Sequence, residues 1–390
     1  MTPNANIDAL LSRACGAGDV PGVIAMATDR DGTIYEGAFG VRALDQPQAA
    51  MTLDTVVWIA SMTKAITGAA AMQLVEQGKL DLDAPAGKLM PELAAVQVLE
   101  GFAADGRPLL RAPRTPVTLR QLLTHTAGFG YDTWNPEIGR YQEATGLPTI
   151  STGKHAALKA PLLFDPGTRW NYGINIDFAG RLVEIASGQK LGAYMRAHLF
   201  DPLGMPDTAF KLTPDMRARK AKVHARADTG ELAATDMEVL QDPEFEGGGG
   251  WLSSTMPDYL RFVRAILNGG VLDGRRVLGA DTVAQMSRNQ MGASRVTAMR
   301  TTNRARSLDA EFFPGVEKSW GLTFQINEAV APTGRSAGSL SWAGLANTYY
   351  WIDPVKGIGG VFATQILPFA DSKALPLFYA FETAVYRARA

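Results

Sequence analysis

Cysteine is almost absent from this chain of 390 residues, since Cys15 is its single example. A disulfide within the chain is therefore excluded. The four histidines stand at positions 125, 155, 198 and 224, without the spacing of metal ligands. We therefore expect no structural zinc site and no other metal ion.

An excess of charge of one sign is also lacking. Lysine and arginine together number 38, and aspartate and glutamate 39, which gives a formal net charge of -1. No positive field is available to attract nucleic acid or an anionic membrane surface. We expect neither as a partner, and a net charge near zero leaves the oligomeric state open.

Long hydrophobic runs are missing as well. The most apolar helix candidate, residues 65–75, is interrupted by Thr67 and Gln73. It is far shorter than the ~20 residues needed to span a bilayer. The first residues, MTPNANIDALLSRA, lack the basic segment and following apolar run of a signal peptide. These features predict a cytoplasmic protein without a membrane anchor.

Strand patterns lie at both ends of the chain. Residues 23–28 and 33–39 are strand candidates joined by Asp31-Gly32, which is a strong hairpin signal. Near the C-terminus a final helical pattern follows four further strand candidates, residues 321–327, 337–342, 348–352 and 359–365. The residues between the two ends form short helical patterns separated by proline and glycine.

This order of elements predicts an α+β fold with two domains. Residues 1–84 and 271–390 are expected to form an antiparallel sheet flanked by the N- and C-terminal helices. Residues 85–270 would form an inserted, mostly helical domain. We expect the active site in the cleft between these domains.

The motif with the clearest chemical content is Ser-Met-Thr-Lys at residues 61–64. Helical positions three apart share one face, so the hydroxyl of Ser61 and the amine of Lys64 can meet. The lysine side chain has a pKa of about 10.4 in water. To act as a base near neutral pH, it must be desolvated or placed beside another cation or a proton-sharing group. The apolar residues around Lys64 fit such a setting. Taken alone, however, this spacing is more typical of a solvated helix face.

The wider context makes the motif specific, because it is one of five ordered blocks. The blocks are Trp-Ile-Ala-Ser-Met-Thr-Lys at 58–64, Leu-Leu-Thr-His-Thr-Ala-Gly at 122–128, Asp-Pro-Gly-Thr-Arg-Trp-Asn-Tyr at 165–172, Asp-Pro-Leu-Gly-Met at 201–205 and Gly-Gly-Gly-Gly-Trp-Leu-Ser-Ser at 247–254. With them the sequence resembles the serine β-lactamase and penicillin-binding-protein superfamily. It is most similar to the class C β-lactamase-like branch and, within it, to the family VIII carboxylesterases. The resemblance covers residues 7 to 385.

The resemblance implies the catalytic roles. Ser61 would be the nucleophile, Lys64 its base partner and Tyr172 the group that shuttles the proton. The backbone N–H groups of Ser61 and Leu345 would form the oxyanion hole. Removal of one such donor typically costs about 3 kcal/mol of transition-state stabilisation. The implied activity is that of a serine carboxylesterase, which hydrolyses short-chain esters of small molecules through an acyl-serine and needs no cofactor.

Two departures from the lactamase pattern favour esters over β-lactams. The strand motif at residues 341–345 reads Ser-Trp-Ala-Gly-Leu, so Trp342 replaces the basic residue with which lactamases bind a carboxylate. Family VIII esterases have the same Trp-x-Gly. In addition, Asn175 follows Tyr172 by three positions rather than the two of the lactamase Tyr-x-Asn motif.

The substrate pocket is expected to be aromatic. The candidate substrate-binding residues are Trp342, Gly344, Asn175, Trp251, Tyr131 and Trp134. Aromatic residues of this kind also serve as ordinary core or surface residues, and Tyr172 without its motif would be interpreted as a core tyrosine.

Other functions remain open from the sequence. The same machinery serves β-lactamases, D-peptidases, amide hydrolases and acyltransferases. A penicillin-binding protein that acylates without turnover, or an inactive interaction scaffold, would belong to a different functional class. His125 is a candidate for the histidine of a Ser-His-Asp triad, but we favour a structural role in the turn that contains it. The glycine run at residues 247–250 lacks the Lys-Ser/Thr of a phosphate-binding loop, so close packing beside the site is favoured.

Overall fold

The computed structural model describes residues 3–389 and has the predicted α+β architecture. The α-helices are α1 (Pro3–Gly16), α2 (Thr63–Glu76), α3 (Pro91–Ala94), α4 (Leu119–Leu123), α5 (Pro136–Thr145), α6 (Asn175–Ser187), α7 (Leu191–Met195), α8 (Asp201–Leu203), α9 (Pro214–Ala218), α10 (Met256–Leu267), α11 (Ala280–Met286) and α12 (Ala374–Ala388). Short 3-10 helices cover Ala60–Met62, Ala86–Lys88, Ile150–Thr152 and His155–Lys159, and a π-helical turn covers Arg196–Phe200.

The strands fall into one large sheet and several short pairs. They are β1 (Gly22–Asp29), β2 (Thr33–Gly40), β3 (Val57–Trp58), β4 (Val98–Phe102), β5 (Pro108–Arg111), β6 (His224–Arg226), β7 (Leu232–Ala234), β8 (Ser253–Ser254), β9 (Val271–Leu272), β10 (Arg275–Arg276), β11 (Lys318–Trp320), β12 (Gln325–Asn327), β13 (Leu340–Gly344), β14 (Thr348–Asp353), β15 (Ile358–Ala363) and β16 (Ile366–Leu367).

The large sheet has seven antiparallel strands in the order β11-β12-β13-β14-β15-β1-β2. The two ends of the chain meet where β1 pairs with β15, with Ile24 opposite Ala363. The β1–β2 hairpin forms as its turn residues predict, because the Asp29 carboxylate accepts the N–H groups of Asp31 and Gly32. One sheet is therefore built from both chain ends.

Helices cover both faces of this sheet. Consecutive strand residues point to opposite faces, and Tyr349 and Tyr350 of β14 illustrate this alternation. The Tyr349 ring stacks on Phe378 of α12 at 4.6 Å, whereas the Tyr350 ring contacts Tyr259 of α10 at 5.4 Å. The core therefore consists of two layers, one on each side of the strands.

One strand prediction was too long. Residues 321–327 were expected as a strand, but only Gln325–Asn327 belongs to β12. Thr323 has φ 79°, in the left-handed region that an extended strand cannot contain. The segment is a tight turn between β11 and β12, and the preceding strand β11 was not predicted.

Helix α2 connects the sheet to the helical segments. Its residues from Thr63 to Leu74 are all buried, and it packs on α6 and α7. The 3-10 turn Ala60–Met62 that precedes it contacts β13 and β14. The N-terminus of α2 is thereby held between the sheet and helices α6 and α7. Within residues 3–389, no helix combines the length and apolarity that crossing a membrane requires.

Candidate active site

Ser61 lies in the 3-10 turn Ala60–Met62, directly before α2. The preceding Ala60 has φ 45°, a left-handed conformation that costs a non-glycine residue energy. The turn is held by the Thr63 hydroxyl, which donates to the Ala60 carbonyl at 2.6 Å. This conformation leaves Ser61 half-buried at the wall of a cleft.

Lys64 has no solvent-exposed surface, as its apolar setting predicted. Its Nζ lies 3.0 Å from Ser61 Oγ and 3.2 Å from the Tyr131 hydroxyl, and it also donates to the Gly249 carbonyl. A buried amine requires such polar partners, because burial without them is costly. When neutral, it is placed to take the proton of Ser61 as the hydroxyl attacks.

The phenol bonded to Lys64 belongs to Tyr131 and not to Tyr172, which corrects the expected contact. The Tyr172 ring centroid lies 4.8 Å from Lys64 Nζ. Its hydroxyl accepts a hydrogen bond from Trp342 Nε1 at 3.1 Å and makes none with Ser61 or Lys64. In this structure, Lys64 therefore contacts the ring face of Tyr172 and the hydroxyl oxygen of Tyr131.

Burial raises the pKa of Tyr131 well above its ordinary value, and the nearby charge of Asp177 adds to this effect. The Tyr131 phenol therefore stays protonated at neutral pH. A protonated phenol in contact with Lys64 can transfer a proton to another group. This is the proton-shuttle role that the family resemblance implies for Tyr172.

His125 is not a partner of the serine. It is fully buried, and its Nδ1 lies 3.0 Å from Asn175 Nδ2. Burial, reinforced by the positive charge of Lys64, lowers the pKa of His125 well below its usual range. The ring is therefore neutral and belongs to a buried turn, as the structural interpretation expected, and its φ of 57° fits a tight turn.

Asn175 was expected to contact substrate, but it does not line the cleft. Its side chain is fully buried and bonded to His125. The extra residue after Tyr172 makes Asn175 the first residue of α6, and from there its amide points into the protein interior. The prediction of a substrate-binding role for Asn175 is wrong for this structure.

Two further expected pocket residues lie behind the cleft wall. Trp342 is 4% exposed, and its ring packs on Tyr172 at 4.9 Å and on Trp320 at 4.6 Å. A Cβ on Gly344 would lie 2.3 Å from the Ile59 carbonyl, so this glycine permits close packing of β13 on the turn that holds Ser61. Trp342 therefore packs on Tyr172 and Gly344 on the turn that holds Ser61, and neither residue lines the cleft.

The remaining candidates do line the cleft, which encloses about 230 Å³. Its wall includes Ser61, Leu345, Tyr131, Trp134, Trp251 and Trp58. The two proposed oxyanion donors, Ser61 and Leu345, therefore border the same space. A larger cleft of about 610 Å³ beside Glu100 and Arg295 contains neither Ser61 nor any residue bonded to Lys64.

Sequence reasoning missed Asp177, a buried carboxylate beside the lysine. Its Oδ1 accepts the Gly249 N–H at 2.9 Å, and the Gly249 carbonyl in turn receives the Lys64 bond. A Cβ on Gly249 would lie 2.4 Å from Asp177 Oδ2, which confirms the close packing expected of the glycine run. Burial raises the pKa of Asp177 to about 6, although the charge of Lys64 opposes this shift. The one available signal was a charged residue between the apolar Ile176 and Phe178.

Known proteins of the same architecture carry related activities. The model of the beta-lactamase family matches residues 7–384. The ML-236A carboxylate methylbutanoyltransferase of Penicillium citrinum is 31% identical, over 98% of this chain and 94% of that protein. The lovastatin esterase of Penicillium rubens is 32% identical over 98% of each chain. A mutant of simvastatin synthase from Aspergillus terreus superposes with a TM-score of 0.87 and 31% identity, over 99% of this chain and 98% of the other.

Proposed function

Because the chain belongs to the beta-lactamase family, we propose that it cleaves small carboxylic esters through an acyl-serine intermediate. The protein is a serine hydrolase of the β-lactamase and penicillin-binding-protein superfamily. The observation that carries the proposal is the contact of 3.0 Å between Ser61 Oγ and the buried Lys64 Nζ. The Trp-x-Gly of β13 supports placement among the family VIII carboxylesterases.

The proposed chemistry has two acyl-transfer steps. Ser61 Oγ bonds to the ester carbonyl carbon as its proton passes to Lys64, and the oxyanion is held by the N–H groups of Ser61 and Leu345. The leaving alcohol then receives a proton through Lys64 and a tyrosine, Tyr131 by its present contact or Tyr172 by a movement toward the serine. Water repeats the sequence on the acyl-serine and releases the acid. No cofactor takes part in these steps.

The shape of the site supports short acyl groups. A volume of about 230 Å³ lies below the ~300 Å³ at which pockets for drug-sized ligands begin. We also retain as a proposal the division into a sheet domain, residues 1–84 and 271–390, and a helical domain, residues 85–270. The cleft with Ser61 would then lie between them.

Acyl transfer to an alcohol other than water is the second candidate function. It is favoured by the name of the relative from Penicillium citrinum, which is a methylbutanoyltransferase, whereas the relative from Penicillium rubens is named an esterase. Both outcomes share the acyl-serine and differ only in the nucleophile that attacks it.

The proposal is tested by hydrolysis of 4-nitrophenyl butyrate and by mass spectrometry of the trapped enzyme. We expect an added butyryl group on wild type that is absent from Ser61→Ala, and losses of several orders of magnitude in Ser61→Ala and Lys64→Ala. Ordinary turnover by Ser61→Ala would overturn the mechanism. Product analysis with an added alcohol separates transfer from hydrolysis, and turnover of a chromogenic cephalosporin equal to that of the ester would favour a lactamase.

A further inference from the structure

Arg306 is a cation in the wall of the Ser61 cleft. Its side chain is half-buried, and within residues 3–389 its guanidinium makes neither a hydrogen bond nor an ion pair. A guanidinium carries five N–H donors, and those of Arg306 are open to solvent at the cleft wall, where a ligand can reach them. The cleft therefore contains a strong anion-binding group that is not paired with a carboxylate of residues 3–389.

The backbone holds Arg306 firmly in this position. The Phe369 N–H donates to the Arg306 carbonyl at 2.9 Å, and the Arg306 N–H donates to the Asn303 carbonyl at 3.0 Å. The next residue, Ser307, is fully buried and accepts a bond from Trp134 Nε1 at 3.1 Å. The arginine thus projects from a fixed part of the wall rather than from a free loop.

Arg306 also lies close to the proposed reaction centre. Although burial dominates the raised pKa of Tyr131, the positive charge of Arg306 acts in the opposite direction. The Tyr131 hydroxyl is 3.2 Å from Lys64 Nζ. A small ligand bonded to the guanidinium would therefore lie within the same cleft as Ser61.

The acidic residues of the cleft do not neutralise this arginine. Glu238 is paired with Arg217 at 2.8 Å and Lys220 at 2.6 Å. Asp177 is buried against Gly249 beside Lys64. Asp132 shares the wall but forms no ion pair with Arg306.

We propose that Arg306 binds a carboxylate of the substrate, so that the preferred substrates are esters that also carry a free carboxylate. This inference rests on the proposed ester cleavage at Ser61. Guanidinium and carboxylate match as a planar, two-bond pair, which gives orientation as well as affinity. Trp342 occupies the strand position at which lactamases place a cation, and here a separate segment supplies the positive charge to the cleft.

The test compares two chromogenic esters of similar length, mono-4-nitrophenyl glutarate, which carries a carboxylate, and neutral 4-nitrophenyl valerate. We expect wild type to prefer the anionic ester and the ratio of kcat/KM, anionic over neutral, to fall about tenfold to a hundredfold in Arg306→Gln. Arg306→Lys should keep part of the preference. Arg304→Gln removes the same charge from an exposed position of the same segment outside the cleft wall and should leave the ratio unchanged.

The possible failures are distinguishable. The carboxylate site is contradicted if wild type shows no preference for the anionic ester, or if Arg306→Gln and Arg304→Gln give the same kcat/KM ratio. Neither result would contradict the proposed ester cleavage. If Ser61→Ala hydrolyses both esters at the wild-type rate, the proposed function fails first. A misfolded Arg306→Gln would lose both esters together, so the Arg306→Lys ratio and the rise in KM for the anionic ester at high salt then decide the question.

Discussion

Tyr131 and Tyr172 both lie against Lys64, but they present different atoms to it. The Tyr131 oxygen is 3.2 Å from Nζ, whereas the Tyr172 oxygen is bonded to Trp342. Motif position assigns the proton transfer to Tyr172, and the contact in the structure assigns it to Tyr131. Substitution of each phenol separates the two assignments.

We predict that Tyr131→Phe lowers kcat for 4-nitrophenyl butyrate about a hundredfold, because positioned acid–base groups typically contribute ~10²–10⁴ in rate. Tyr172→Phe keeps the ring under Lys64 and should cost less. The measurement is steady-state kinetics, with far-UV circular dichroism to verify folding. A larger loss in Tyr172→Phe would mean that Tyr172 reaches the serine during turnover, and Tyr131 would then be a pocket residue only.

Asp177 gives a prediction for stability against pH. Its pKa is raised from 3.8 to about 6, so between these values the folded protein binds a proton that the unfolded chain has released. Its contribution to the free energy of unfolding therefore falls as the pH rises from about 4 to about 6, and is constant above. Asp177→Asn removes this dependence. Urea denaturation of both proteins should show the variant gaining stability relative to wild type across that interval, and a constant difference at every pH would contradict the prediction.

At the scale of elements, Gly344 of β13 sets the distance between the sheet and the turn that holds Ser61. A Cβ on Gly344 would lie 2.3 Å from the Ile59 carbonyl and 2.2 Å from Thr348 Oγ1. Since both contacts are closer than real Cβ atoms allow, Gly344→Ala must push β13 away from the turn that holds Ser61.

For Gly344→Ala we predict at least a tenfold loss in kcat/KM, because overpacking of this kind costs about 1–3 kcal/mol and displaces the proposed oxyanion donors. Kinetics on 4-nitrophenyl butyrate measure the effect. Gly139→Ala, within α5 and with nothing within 4 Å of its added carbon, is the matched control and should be neutral or slightly stabilising. Equal effects of the two substitutions would show that the close packing at Gly344 does not position the turn that holds Ser61.

Most of the helices and strands could be predicted from local signals in the sequence. Thr118 forms the capping box that begins α4, and Gly188 ends α6 in the left-handed conformation, as their residue types predict. The strand predicted over residues 321–327 was too long, because Thr323 adopts a turn conformation that strand propensity does not reveal. Short strands of three residues are set by their partners across the sheet more than by their own sequence.

At the scale of the whole molecule, the core joins segments from both chain ends. Phe381 of α12 is fully buried, and its ring lies 5.7 Å from Tyr35 of β2 and 5.8 Å from Trp351 of β14. Its removal would leave a cavity bordered by the N-terminal hairpin and the C-terminal strands.

Phe381→Ala is therefore predicted to lower the free energy of unfolding by about 3–5 kcal/mol. The matched control is Val355→Ala, at a side chain that is 73% exposed, where a change within about 0.5 kcal/mol is expected. Thermal and urea denaturation measure both. Loss of less than about 1 kcal/mol in Phe381→Ala would show that α12 contributes little to the shared core.

What the sequence determined by itself was local. A serine and a lysine three positions apart at a helix start must share a face, because the helix repeat of 3.6 residues imposes it. The fold class followed in the same way from the order of strand and helix patterns. Tertiary structure alone decided the long-range contacts. The hydroxyl of Tyr131 rather than that of Tyr172 is bonded to Lys64, the side chains of Asn175 and Trp342 are buried, and Asp177 and Arg306 line the cleft. Contacts between distant segments depend on how whole surfaces pack, and residue spacing within one segment carries no measure of that packing.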